Sequence, residues 1–226
     1  MKRLVSALYA MPLLTGCGGS PEFDQADMCG WKENGEDCWV QIEGPADCRV
    51  WIPAMPEHIT LIAIRWTGAC THGVFQGSGM ETLVLSDGKI ETPYVDGERH
   101  GVERWRHEDG HVIAEVPWVD GERHGVEIWL DTDGAVYAEV PWVDGERHGV
   151  EISRFPDGAM RQKIPWRDGV KHGVEIRRSI DPLMDDYTWE IPWLNGERHG
   201  VEIWRDADGN VIDREEWSHG EPIEVD

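Results

Sequence analysis

The 226-residue chain carries a formal net charge of -23, with 40% apolar residues, thirteen tryptophans and five cysteines. That apolar content suits a folded chain rather than a disordered one. The acidity excludes nucleic acid, whose phosphates need Lys and Arg, and charge-driven docking on anionic lipid. A chain of this size builds one ordinary domain or an array of repeats, and its acidity favours cationic partners or divalent ions.

In chain order, Lys2 and Arg3 form a basic start and Leu4 to Leu14 an apolar run. The run has the length of a signal core and is too short to span a bilayer. Leu14-Thr15-Gly16-Cys17 comes next and resembles the lipobox of bacterial lipoproteins. The resemblance implies cleavage before Cys17, a diacylglyceryl group on its sulfur and an acyl chain such as palmitate on the new amine. Two or more chains anchor stably where one does not. With Gly18 rather than Asp after the cysteine, it also implies sorting to an outer membrane in a cell that has one. Residues 1–16 are therefore expected to be a signal peptide, and residues 17–28 the lipidated cysteine and a small, polar tether.

Residues 29–65 form a distinct cysteine-rich region, expected to be a β cap over the first open sheet edge of a repeat array. The four remaining cysteines are Cys29, Cys38, Cys48 and Cys70. In an exported chain an even number suggests two disulfides, and four cysteines allow three pairings. Cys29–Cys38, closing a loop around Asn34-Gly35, with Cys48–Cys70 is the preferred set. Zinc is disfavoured by the absence of a paired C-x-x-C. Thr60 to Trp66 and Cys48 to Ile52 read as strands.

From Trp66 onward the chain repeats. Pro117-Trp118-Val119-Asp120-Gly121-Glu122-Arg123-His124-Gly125-Val126-Glu127 recurs letter for letter from Pro141 to Glu151, and nearly so from Pro93, Pro165 and Pro192. Gly97, Gly121, Gly145 and Gly169 lie 24 residues apart, Gly196 stands 27 further on, and Gly220 another 24 beyond it. Such self-similarity marks a repeat architecture. Within a unit, Val126 to Trp129 alternates apolar and polar, as a strand does. Asp131-Thr132-Asp133-Gly134 is a turn, and Ala135 to Val140 a return strand. Pro141 is expected to stop the ladder, with Trp142 at the corner and Asp144-Gly145 as a second turn. Stacked hairpins of this kind make an all-β antiparallel meander or solenoid, each unit adding roughly 10 Å. Units start near 66, 93, 117, 141, 165 and 192, with a half unit at 217.

An aromatic, then Gly-x-x-x-Gly, a strand and a Gly turn together resemble the MORN repeat, and more closely its bacterial variant. The resemblance covers some two thirds of the chain, from Trp66 to about Gly220. Trp66-Thr67-Gly68-Ala69-Cys70 with Gly77-Ser78-Gly79 resembles the opening unit of that family. Trp in place of the usual Tyr, and His before the second Gly, are departures. The resemblance implies a non-enzymatic binding or scaffolding surface; some bacterial relatives carry an antitoxin label.

The residues that could carry chemistry repeat with the units. His72, His100, His124, His148, His172, His199 and His219 are read as one column. Its members lie too far apart to share a metal, so a corner hydrogen bond to backbone is expected of them. Glu103, Glu127, Glu151, Glu175 and Glu202 form an acidic column, and Glu–Arg pairs between repeats are expected. Trp105, Trp129 and Trp204 recur at strand ends and, with that column, make the candidate binding surface. No Ser-His-Asp signature, phosphate loop or HExxH is present, and identical carboxylates lack the two environments that acid–base pairs need. The Asp-x-Asp-Gly turns fall short of a calcium loop. No metal and no cofactor beyond the covalent lipid at Cys17 is expected. The reading is thus a lipid-anchored bacterial envelope protein that meets the membrane through its anchor and binds a protein partner. Its alternatives are an immunity or antitoxin role and glycan binding.

Overall fold

The computed structural model describes residues 38–41, 49–52, 61–71, 74–179 and 187–223. Cys17, Cys29, Cys48 and His72 lie outside them, as do the signal segment and the tether. Among the described residues every regular element is a strand.

One antiparallel meander accounts for most of the chain. Thirteen long strands succeed one another from Leu61–Trp66 to Val211–Ser218, and a two-residue arm such as Glu122–Arg123 comes directly after each of Gly97, Gly121, Gly145, Gly169, Gly196 and Gly220. No ladder joins Glu221–Pro222 back to Leu61–Trp66 among the described residues, so the sheet is open. Cys38–Gln41 and Arg49–Ile52 make a separate hairpin, and Ala69–Thr71 with Val74–Gln76 a second small one. The expected strand after Cys48 is found at Arg49–Ile52, and that before the repeats at Leu61–Trp66.

The turns explain the Asp-Gly spacing. Asp120 and Gly121 both have positive φ (48° and 82°), as do Asp96-Gly97, Asp144-Gly145, Asp168-Gly169 and Asn195-Gly196. Two such residues make the type I′ turn whose twist matches a hairpin. Val119 then faces Glu122, and Trp118 faces Arg123. Next comes a break. His124 donates its N–H to the Pro117 carbonyl at 3.1 Å, Gly125 takes φ 114°, and pairing resumes two residues out of step at Glu115–Ile128. A Cβ on Gly125 would sit 3.2 Å from Pro117 Cγ. The units interlock along this edge, because Gly145 N–H donates to the Arg123 carbonyl at 3.0 Å, and Gly121 to that of Arg99 at 2.9 Å.

Proline does not stop the ladder. The strands run through it, as Val136–Val143 does through Pro141. The register slip beside each proline removes the need for its missing N–H, the setting in which a sheet tolerates one.

Among the described residues no second layer covers the sheet, so side chains of the sheet itself cover its faces. Register places Glu127 opposite Val140, Glu151 opposite Ile164 and Glu175 opposite Ile191. That row is the core: Val116, Val140, Ile164 and Ile191 are buried, and so are Glu103, Glu127, Glu175 and Glu202. The other face carries Val126, Val150, Val174 and Val201, which are 51%, 39%, 48% and 44% exposed.

Candidate functional site

The glutamate column is a buried network, not a solvated acidic face. Glu175 and Glu202 have no exposed surface, and Glu103 and Glu127 retain 5% each; Glu151 is half-buried. A buried carboxylate must be hydrogen-bonded and paired. Glu127 accepts from the indole N–H of Trp129 at 2.8 Å and of Trp142 at 3.0 Å. Arg123 Nη1 stands 3.3 Å from it. Glu151 accepts from Trp166 at 3.0 Å, with Arg147 at 3.6 Å. A buried indole needs an acceptor, the acceptor needs a cation, and the cation stacks on the next indole. The column accordingly alternates: Arg99 lies 4.7 Å over the Trp118 ring, Arg123 4.8 Å over Trp142, and Arg147 4.8 Å over Trp166. The expectation of an open acidic and aromatic surface on this face is therefore corrected. Indole and guanidinium groups large enough to cover the carboxylates turn the polar side of the alternation inward.

The column begins one unit earlier than its sequence pattern suggests. Glu81 is buried and accepts from Tyr94 Oη at 3.1 Å, the tyrosine standing where later units have Trp. Burial, the largest influence on Glu81, holds its pKa above the ordinary value against Arg99 and the Tyr94 hydrogen bond. Burial and then the Glu81 charge push Tyr94 up to about 12. Thr92 and Trp105 occupy the two oxygens of Glu103 at 2.9 and 2.6 Å, and Trp118 Nε1 is left buried without a partner. Trp217 Nε1 and Glu202 Oε2, which this pattern would join, also lack hydrogen-bond partners, although Arg198 Nη1 stands 3.4 Å from that oxygen.

The strand-end tryptophans lie on the same face. Trp105 and Trp129 meet edge-on at 5.5 Å, while Trp189 and Trp204 stack at 5.6 Å. Trp105 and Trp129 turn their N–H groups to Glu103 and Glu127, while Trp189 donates to Glu202. Trp105, Trp129 and Trp204 are all half-buried.

Glu–Arg pairs between strands occur on the valine face, among residues other than the column and arm residues for which they were expected: Arg104–Glu115 at 2.9 Å, Arg154–Glu139 at 3.1 Å and Arg205–Glu190 at 2.8 Å. Arg123, Arg147 and Arg198 of the Glu-Arg arms instead serve the glutamate four residues on in their own unit.

The expected corner bond to backbone is present where His100, His172 and His199 accept, each at 3.5 Å, from the N–H of Asp120, Asn195 and His219, the residues just before the turn glycines. Besides the backbone bond to proline, His100, His124 and His148 each place Nδ1 3.2 Å from the aspartate of the next turn: Asp120, Asp144 and Asp168. His172 meets Asn195 at the same distance. His219 does not belong to this column. It has φ 52°, as the turn aspartates do, and receives the ring of His199 at 5.0 Å. In the Asp131 turn the carboxylate accepts from the N–H groups of Asp133 and Ala135, both at 2.9 Å.

Two further features were missed in the sequence. Between Arg154 and Arg178 the chain holds seven cations against three acids, within a strongly acidic whole. There a shallow cleft of about 380 Å³ is lined by Phe155, Gln162, Arg177, Tyr187 and Trp189, among others. The second is a cluster of His107, Asp109 and His111 at a hairpin tip. Both could have been found by asking where the units depart from their own pattern.

In comparison with known proteins, the MORN repeat variant family matches residues 99–120. That segment is one strand, turn and return strand of the meander, so the hairpin repeats are MORN-type where the match falls. No curated protein matches the chain.

Proposed function

We propose that this is a non-enzymatic envelope lipoprotein, exported and anchored through Cys17, whose repeat sheet binds or scaffolds a protein partner through its valine face. The carrying observation is the inversion of the sheet. Glutamates fill the covered side, while Val126, Val150, Val174 and Val201 stand in a regular exposed row with Val119 and Val143 near the turns. Contiguous exposed apolar surface rimmed by charge is the usual mark of a protein-binding face. The Arg104–Glu115 and Arg154–Glu139 pairs provide such a rim. Export and lipidation rest on the basic start, the apolar run and Leu14-Thr15-Gly16-Cys17. In this reading a disulfide cap closes the first sheet edge. Cys70 is proposed to pair with Cys48, and Cys29 with Cys38.

The test immobilises residues 18–226 and passes envelope and secreted fractions over them. A single retained protein, lost when Val126 and Val150 are both changed to Glu, supports the reading. Retention unchanged in that variant sinks the valine face. Retained glycan with no protein moves the reading to the tryptophans. A basic secreted toxin released by salt makes the partner an immunity target.

A further inference from the structure

Among the described residues, four hairpin tips opposite the Asp-Gly edge close with the same backbone bond, and one of the four carries a histidine at each end. His107 and His111 stand where other tips have Asp131 and Ala135, Phe155 and Ala159, or Asp206 and Asn210. Asp109 lies between them. His111 Nδ1 is 2.5 Å from Asp109 Oδ1, and His107 Nδ1 is 3.4 Å from Asp109 Oδ2. One donor atom from each of the three residues falls within 4.8 Å of the others, and the two rings lie 5.1 Å apart.

The backbone holds this arrangement. His107 N–H donates to the His111 carbonyl at 3.0 Å, and Gly110 N–H to the His107 carbonyl at 2.9 Å. His111 N–H donates to Asp109 Oδ1 at 3.0 Å. A separate observation points to a ligand: His107 Nδ1 is buried and has no hydrogen-bond partner. A polar atom in that state needs an explanation, and an imidazole nitrogen directed at a second imidazole and a carboxylate has a chemical one. We propose that His107, Asp109 and His111 bind one divalent transition-metal ion of the zinc class. Two imidazoles with one carboxylate suit zinc, copper or nickel; calcium and magnesium prefer oxygen throughout. Three protein ligands leave positions for water or for a ligand from another molecule. Asp109 is 61% exposed, so that side of the site is open. The His–Asp corner pairs provide only two such groups each.

The test titrates Zn²⁺ alone into the full chain against a chromogenic chelator. It repeats the titration with the double variant His107→Ala, His111→Ala and with a corner variant, His124→Ala, His148→Ala. We expect one tight equivalent per chain, weakened more than about tenfold in the first variant and unchanged in the second. Asp109→Asn keeps an oxygen for the turn but loses the carboxylate. It should weaken binding while leaving the circular dichroism spectrum intact, which separates ligand loss from unfolding. Equal affinity in wild type and the His107/His111 variant overturns the proposal, and so does a loss confined to the corner variant.

Discussion

The unit built on Glu127 and the unit built on Glu175 bury the same carboxylate in different company. Glu127 takes two indole N–H groups and one arginine. In the later unit, Lys171 stands in the arginine's place and Arg177 in that of the strand-end tryptophan. Glu175 therefore accepts from Trp193 at 3.0 Å, Lys171 at 2.7 Å, Gln162 at 2.8 Å, and Arg177. Burial alone would raise its pKa, but the bonds from Lys171, Arg177 and Gln162 outweigh it and hold the carboxyl below its ordinary range. What repeats is the satisfaction of an inward charge; the donors are interchangeable.

The sharpest break in that comparison comes from removing each carboxylate. Glu175→Ala leaves two cations and an indole facing a void and should cost about 3–5 kcal/mol, the usual penalty for stripping a buried charge of its partner. Glu127→Ala orphans mainly neutral donors and should cost about 1–3 kcal/mol. Urea unfolding measures both, and equal losses would mean that donor charge is immaterial.

A smaller effect tests the shared frame. Gly125 and Gly173 have φ of 114° and 110°, and an added Cβ would meet Pro117 or Pro165 Cγ at 3.2 Å in either case. Alanine at each should cost at least about 1–2 kcal/mol, and the two losses should agree within about 0.5 kcal/mol. A wider gap would show that the slipped register differs between units.

The finest distinction is the response to pH. Glu175 ionises more readily folded than unfolded, so its stabilising contribution is present above the unfolded value of 4.5 and is lost as pH falls through the lower folded value. Glu81 runs the other way. Its folded pKa is raised, so its favourable contribution is present below 4.5 and is lost as pH rises through the folded value. Relative to wild type, Glu175→Gln should therefore lose stability as pH rises, and Glu81→Gln should gain. Melting temperatures across the acidic range would show slopes of opposite sign; slopes of the same sign would remove the distinction.

Much of the frame was legible beforehand. Asp-Gly at a fixed period demanded turns, and the alternation from Val126 to Trp129 demanded strands. The prolines misled, because a strand rule forbids them unless the register slips, and a slip arises only between paired strands. His219 was misplaced for a similar reason: its place beside a glycine resembles that of His199, yet only the φ of a turn distinguishes the two. The tip at His107 and His111 escaped notice because attention to what recurs passes over what occurs once.

The sequence by itself determined the repeat, the turns and the fact that Val126 and Glu127, like their counterparts in the other units, lie on opposite faces. Alternation has no sign, so it could not say which face turns inward. The ordinary rule sends the valines in and the acids out. Tertiary structure reversed this, because among the described residues the sheet has no second layer to press its apolar side against. Its buried side is instead the one that its largest side chains can cover. Here those are tryptophan and arginine, whose N–H groups require a carboxylate beneath them.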